Sequence, residues 1–330
     1  MKRFLFLLSV LLAIVSCQKD SIDFNSIASD NLKYSSFILN QSSWIKLDSI
    51  DRLFPTDIHF YNENVGLISG LLSVILTKDG GISWRTIERN FHSIYALNED
   101  TYLAGAADGL YKSNNSGQTW EKCNFPSKAT IFDIWFKNLN IGFISCAWGT
   151  YRTTNAGETW SKVTHVISEN LQFTSENIGY FSCGYTSYPD PGPGPAISSG
   201  AIFRTLDKGR TWTDTNLNIK EITALSFISD KVGFFTTYDG CLYKTLDGGE
   251  SFIKVATLTA RPEDILFIDE QQGFICLSDG LFSTIDGGKT LNLEYSLQND
   301  IHTYQFSFPK LDVGFSYDSN GHLLKRIQDK

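Results

Sequence analysis

Little in this chain is suited to metal, nucleotide or nucleic-acid chemistry. Its five histidines, at positions 59, 92, 165, 302 and 322, are scattered, and none sits at metal-ligand spacing from another. No His-Glu-x-x-His, Walker A, Gly-x-Ser-x-Gly or calcium-loop pattern occurs. Six cysteines are present without one Cys-x-x-Cys pair, so neither a metal nor a cofactor is expected. Basic residues are outnumbered, 28 Lys and Arg against 36 Asp and Glu, and the net charge of −8 argues against a phosphate-tracking surface, so no nucleic-acid partner is expected. Methionine is used once, and charged residues make up only 19% of the 330, which excludes a coiled coil or a disordered chain.

Aromatic side chains are abundant. The 24 Phe, 14 Tyr and 7 Trp favour strands over helices. With the first 40 residues set aside, the remainder divides into seven units of about 41 residues, the size of a propeller blade. In the leader, Lys2 and Arg3 precede an apolar stretch from Phe4 to Val15 broken only by Ser9. That stretch is too short to span a bilayer and reads as a cleaved signal. Ile14-Val15-Ser16-Cys17 resembles a bacterial lipobox, which implies that 1–17 is a lipoprotein signal and that Cys17 carries lipid. Ordinary secretion with Cys17 incidental is the alternative. Gln18, standing where an Asp would retain the protein at the inner membrane, implies sorting to the outer membrane, with the face left open. Residues 18–40 show no period and read as a flexible tether, which leaves 41–330 as the folded body. Of its cysteines, Cys123, Cys146, Cys183, Cys241 and Cys276, an odd number cannot all pair within the chain. They are expected as small buried hydrophobes, with a Cys146–Cys183 disulfide left open.

Six segments share one formula, Ser/Thr-x-Asp/Asn-x-Gly-x-Ser/Thr, followed in five of them by an aromatic. They begin at Thr77, Ser113, Thr153, Thr205, Thr245 and Thr284, spaced 36, 40, 52, 40 and 39 residues apart. Asp79, Asn115, Asn155, Asp207, Asp247 and Asp286 hold the acid/amide position. Such a side chain accepts N–H groups within its own turn, and the glycine supplies positive φ. An apolar strand precedes each turn, as in Gly109–Ser113. Before that strand most units carry a glycine-led strand (Val65-Gly66-Leu67, Ile141-Gly142-Phe143), and several carry an innermost strand such as Asp57–Phe60. Four short strands per period describe a propeller blade. The last unit shows only three, while Ser43-Trp44-Ile45-Lys46-Leu47 looks like a fourth strand without its blade. Residues 42–48 are therefore expected to complete blade seven, with a degenerate seventh turn that puts Gln328 near the Asp position.

The repeated formula matches the Asp-box, or BNR repeat, of sialidase-like propellers. Over roughly 42–328 the body resembles the seven-bladed photosystem II assembly/stability factor-like propellers. The fold class expected is all-β, a seven-bladed propeller of four-stranded antiparallel blades closed by an N-terminal strand. In Asp-box families these turns lie away from the ligand site, so the six acid/amide residues are expected to be structural. The resemblance implies a non-catalytic scaffold; a monomer that binds an envelope protein or glycan is expected. The basic patch implicated in partner binding by photosynthetic members has no counterpart here. The alternative is a glycoside hydrolase of the sialidase or xyloglucanase propeller type. Against it, the Arg-Ile-Pro start of sialidases is missing, and Arg152 and Arg204 occupy the repeat position held by Lys112 and Lys244 elsewhere. Xyloglucanases place their carboxylates between two propellers, and one is read here.

Ligand-binding candidates fall on the face bearing the turns between second and third strands. The 52-residue step into blade four is lengthened by the Pro/Gly-rich run 184–195, either a tolerated insertion or a recognition loop. Trp148, Tyr185, Tyr188 and Tyr238 stand at corresponding places on adjacent blades. They either form a stacking platform or pack beneath the insertion. Asp57, Asp133 and Asp264 open innermost strands in matching positions, where they either bind a cation at the channel mouth, or cap strand ends or bind channel water.

Overall fold

A computed structural model describes residues 42–49, 55–183, 200–217, 219, 221–297, 303–310, 312–318 and 321–328. The leader with Cys17, the tether 18–40, and Tyr185 and Tyr188 lie outside the described residues. Seven separate sheets, each of four antiparallel strands, make up the described chain, and it contains no helix. Blades one to six run over 55–87, 93–122, 131–164, 169–214, 222–257 and 262–296. In each, the strands pair in sequence order from the innermost outwards. Blade one shows the pattern with Pro55–Phe60, Gly66–Gly70, Val74–Thr77 and Arg85–Ile87.

Blade seven is built from both ends of the described chain. Its inner strands are Thr303–Lys310, Val313–Asp318 and His322–Gln328, and its outermost strand is Ser42–Ser49. Trp44 pairs with Arg326 and Ile45 with Lys325, and Trp44 is buried against Phe306 and Phe308. This pairing covers an edge that would otherwise offer unpaired backbone groups. Gly314 faces Arg326 just as Gly66 faces Thr77. The register thus puts Gln328 at the Asp position of a degenerate seventh turn, with Arg326 where the other blades have Ser or Thr.

The glycine that opens most second strands has a steric cause. A Cβ on Gly66, Gly142, Gly233 or Gly314 would land 2.4–2.5 Å from the ring of Phe60, Phe136, Phe227 or Phe308, the large residue facing it on the innermost strand. Blade two exchanges the sizes: Ala96 occupies the phenylalanine position and Tyr102 the glycine position, and the two are register partners. Total volume is conserved, which a close-packed core tolerates. Between blades, rings stack in a repeating way. Phe60 lies on Phe315 at 3.5 Å, Tyr180 on Phe227 at 3.5 Å, and Phe234 on Phe267 at 3.6 Å, all within 5° of parallel. The five cysteines of the body stand as thiols, so the Cys146–Cys183 disulfide left open by the sequence is not formed.

Candidate functional site

The six repeated turns have one geometry. In blade one, Thr77 Oγ1 donates to Asp79 Oδ1 at 2.8 Å and accepts the Gly81 N–H at 2.9 Å. Asp79 in turn accepts the Ser83 N–H at 2.9 Å and the Ser83 hydroxyl at 2.6 Å. The backbone N–H bond recurs around Asn115, Asn155, Asp207, Asp247 and Asp286. The hydroxyl donates again at Asp207, Asp247 and Asp286, whereas Asn115 and Asn155 donate their amide Nδ2 to the Thr119 and Thr159 hydroxyls at 2.8 and 3.0 Å. Hydrogen bonds from Ser83 and Thr77 hold the Asp79 carboxyl down at about 2, and Ser251 does the same for Asp247. These carboxylates are committed to their own turns. Two consecutive residues in each turn have positive φ, for example Gly80 at 70° and Gly81 at 90°. The first of the pair is not always glycine: Ser116, Ala156 and Lys208 hold that place in blades two to four.

In three places a cation from the third strand ties the next turn to the blade before it. Lys112 Nζ donates to Ala156 O at 3.5 Å, Arg152 Nε to Lys208 O at 2.9 Å, and Lys325 Nζ to Gly80 O at 2.9 Å. Arg152 therefore behaves as the repeat residue expected from its spacing. Arg204, at the same position of blade four, makes no such bond: its Nε is buried without a hydrogen-bond partner.

On the opposite face, the structure separates the sequence candidates. Asp57 is buried, and its Oδ2 accepts the Ile94 N–H of the next blade at 3.0 Å. Asp264 accepts the Phe306 N–H of blade seven at 2.9 Å and the N–H of Ile265 at 2.9 Å. The position held by Asp57, Asp133 and Asp264 is filled by Asn170 in blade four, and its amide reaches Thr223 O in blade five at 3.5 Å. Asp133 is half-buried at the corresponding place. Among the described residues no group of three or more His, Cys, Asp or Glu could hold a metal ion. Asp57 and Asp264 thus bridge to the neighbouring blade's backbone, a role that neither sequence reading assigned to them.

The aromatic candidates divide differently. Trp148 sits in the two-residue turn that joins Cys146 to Gly149, and it is 44% exposed. Tyr238 is 55% exposed in the corresponding turn of blade five, where Thr237 Oγ1 holds Asp239 at 2.7 Å. The guanidinium of Arg261, from blade six, lies 5.3 Å from the Tyr238 ring and makes a two-point pair with Glu263 at 2.8 and 2.9 Å. Leu71 and Leu72, in the same turn of blade one, and Phe132, at the mouth of blade three, are also exposed. Sequence reasoning missed these three. Phe132 carried a signal, since it breaks the alternation of Ile131–Phe136 with an extra apolar residue.

The architecture and the two faces define a seven-bladed β-propeller, with hydrogen-bonded turns on one face and exposed rings on the other. No family model matches the chain. A xyloglucanase of Hypocrea jecorina (strain QM6a) is 31% identical over 125 residues, which is 32% of this chain and 14% of that enzyme's length. Among solved structures, YCF48 bound to D1 peptide superposes with a TM-score of 0.70 at 17% identity, covering 88% of this chain and 99% of that one. The GH74 enzyme of Niastella koreensis superposes with a TM-score of 0.60 at 14% identity, over 80% of this chain and 50% of that one. At these identities the solved structures share the fold with this chain.

Proposed function

We propose that this chain is a non-catalytic binding or assembly module, recognising a protein or glycan on the face that carries Trp148 and Tyr238. It is anchored by lipid at Cys17 to the outer membrane. The observation that carries this reading is the division of labour on that face. Asp57 and Asp264 are occupied by backbone N–H groups, and Glu263 by Arg261, whereas the rings of Trp148 and Tyr238 are presented to solvent. Exposed rings supply stacking area at low entropic cost. A glycosidase instead needs a carboxylic acid with a raised pKa beside a second carboxylate. Among the described residues the displaced carboxylates, Asp79, Asp100, Asp108, Glu176, Asp207, Asp247 and Asp286, are all displaced downwards. On this reading the six turns are Asp-boxes, present as architecture.

The test is crosslinking capture from intact cells with wild type and with the Trp148→Ala/Tyr238→Ala variant. The double variant should lose the captured partner at unchanged membrane level, and retention of every partner would sink the reading. Similarity to a xyloglucanase favours a second reading, hydrolysis of a β-linked glycan. Sustained release of reducing ends from xyloglucan would establish it over the first.

A further inference from the structure

Arg204 faces a groove of about 450 Å³ between the turns of blades four and five, on the face opposite Trp148 and Tyr238. Leu206, Thr213, Asp214, Thr215 and Glu250 line it with Arg204. Two polar atoms of this lining, Arg204 Nε and Thr215 Oγ1, are buried without a hydrogen-bond partner. Buried donors are normally satisfied, and leaving one unmade is costly. The cause lies one residue away in the sheet. Arg152 pairs in register with Phe143, but Arg204 pairs with Tyr180. The Tyr180 hydroxyl donates to Asp230 O at 2.9 Å and approaches Gly248 O at 3.4 Å, the carbonyl that Arg204 would otherwise take. Burial holds the Tyr180 hydroxyl up at about 12, so it remains a donor. One added hydroxyl thus releases a guanidinium into the groove, where its closest charged neighbour is the exposed Glu250, 3.9 Å away.

We propose that this groove is a second binding site, which takes an extended polypeptide segment carrying a basic side chain. A backbone carbonyl of the segment sits on the exposed terminal nitrogens of the Arg204 guanidinium, and its lysine or arginine lies against Asp214 and Glu250. The outermost strand of blade four is only Thr213–Asp214 and ends its sheet, so it offers a backbone edge to an added strand. A carboxylate ligand would suit the guanidinium fork alone, but Asp207, Asp214 and Glu250 line the same groove and repel a further anion. The exposed apolar side chain here is Leu206, an aliphatic one, which gives a sugar ring no aromatic surface to stack on. A neutral acceptor borne on a cationic chain matches both halves of the lining.

The site goes beyond the face-binding function above, and its test separates the two. Calorimetry on the purified full chain at physiological salt would use three probes: a capped hexapeptide of alternating lysine and threonine, its glutamate counterpart, and cellohexaose. The lysine peptide should bind. Arg204→Gln and Glu250→Gln should each weaken it about tenfold, and Trp148→Ala should leave it unchanged. Tyr180→Phe, which returns Gly248 O to Arg204 and needs no new space, should weaken binding to about the same extent as Arg204→Gln, at a melting temperature close to wild type. Equal binding of the glutamate peptide or of cellohexaose would overturn the proposal. So would an Arg204→Gln or Tyr180→Phe variant that melts like wild type and binds within about twofold of it. Loss of the lysine peptide's binding in Trp148→Ala would also overturn it, by placing the peptide on the other face.

Discussion

The seam between blades three and four and the seam between blades four and five are built from one repeat, yet they close differently. At the first, Arg152 is 9% exposed and its Nε donates to Lys208 O at 2.9 Å. At the second, the equivalent Arg204 keeps a quarter of its side chain exposed and its Nε has no acceptor. The difference traces to Phe143 against Tyr180, that is, to one hydroxyl. Two lessons follow. The same residue type at the same repeat position can be mortar in one blade and an available donor in the next. Which it becomes depends on who else competes for a single carbonyl.

Removing each arginine is the most forceful way to break the comparison. Arg152→Ala deletes a satisfied buried bond and the packing of its stem, at a cost of about 2 kcal/mol. For a domain of this size that lowers the melting temperature by roughly 3–4 °C. Arg204→Ala removes a donor that has no acceptor to lose, so its cost should stay below about 1 kcal/mol. Calorimetric melting of the two variants side by side decides the matter, and equal losses would make the two seams equivalent.

Exchanging the rings sharpens the same contrast with a smaller effect. Phe143→Tyr brings a hydroxyl toward the carbonyl that Arg152 uses, and should cost about 1–2 kcal/mol through competition for Lys208 O. Tyr180→Phe gives up the bond to Asp230 O but regains the arginine tie, so the net change should be within about 1 kcal/mol. Urea unfolding at constant m-value measures both. A stabilised Phe143→Tyr would contradict the competition.

How far the sequence carried depends on how local each feature is. The blades, the six turns and the closing strand Ser42–Ser49 were legible because each repeats a short pattern at fixed spacing. Blade two was the least legible in its second strand, since the Ala96–Tyr102 exchange erases the glycine signal without disturbing the packing. The site was legible only in part. Trp148 and Tyr238 emerged from turn position alone. Asp57 and Asp264 also stood out, but their bonds run to Ile94 and Phe306, residues about 40 positions away that only the packing of one blade against the next brings near. Arg204 looked like every other repeat cation, because its distinction resides in Tyr180 on the neighbouring strand.

A third comparison concerns the turns that close these seams, and it is visible only in acid. Asp247 sits in the blade-five turn with its carboxyl held at about 2, chiefly by the Ser251 hydroxyl and N–H. A depressed pKa in the folded state means that the turn contributes stability above the ordinary carboxylate range. That contribution is lost as pH falls from about 4 towards 2. Asp207 in the blade-four turn is also displaced downwards: burial pushes it up, but the N–H and hydroxyl of Thr211 outweigh that. The consequences should differ. The blade-four turn holds Arg152 through Lys208 O, so its acid loosening is transmitted to blade three. The blade-five turn holds no arginine, and its Gly248 O is approached from blade four by the Tyr180 hydroxyl at a long 3.4 Å, so less of its loosening is passed on. Asparagine serves in the same geometry at Asn155, whose Oδ1 accepts the Thr159 N–H at 3.0 Å. Asp207→Asn and Asp247→Asn should therefore both melt like wild type near neutrality. At pH 3 both should exceed wild type, Asp247→Asn by more, because its carboxyl is held the lower of the two. A larger acid gain for Asp207→Asn would show instead that the Arg152 tie, and not the turn's own hydrogen bonds, sets what acid costs.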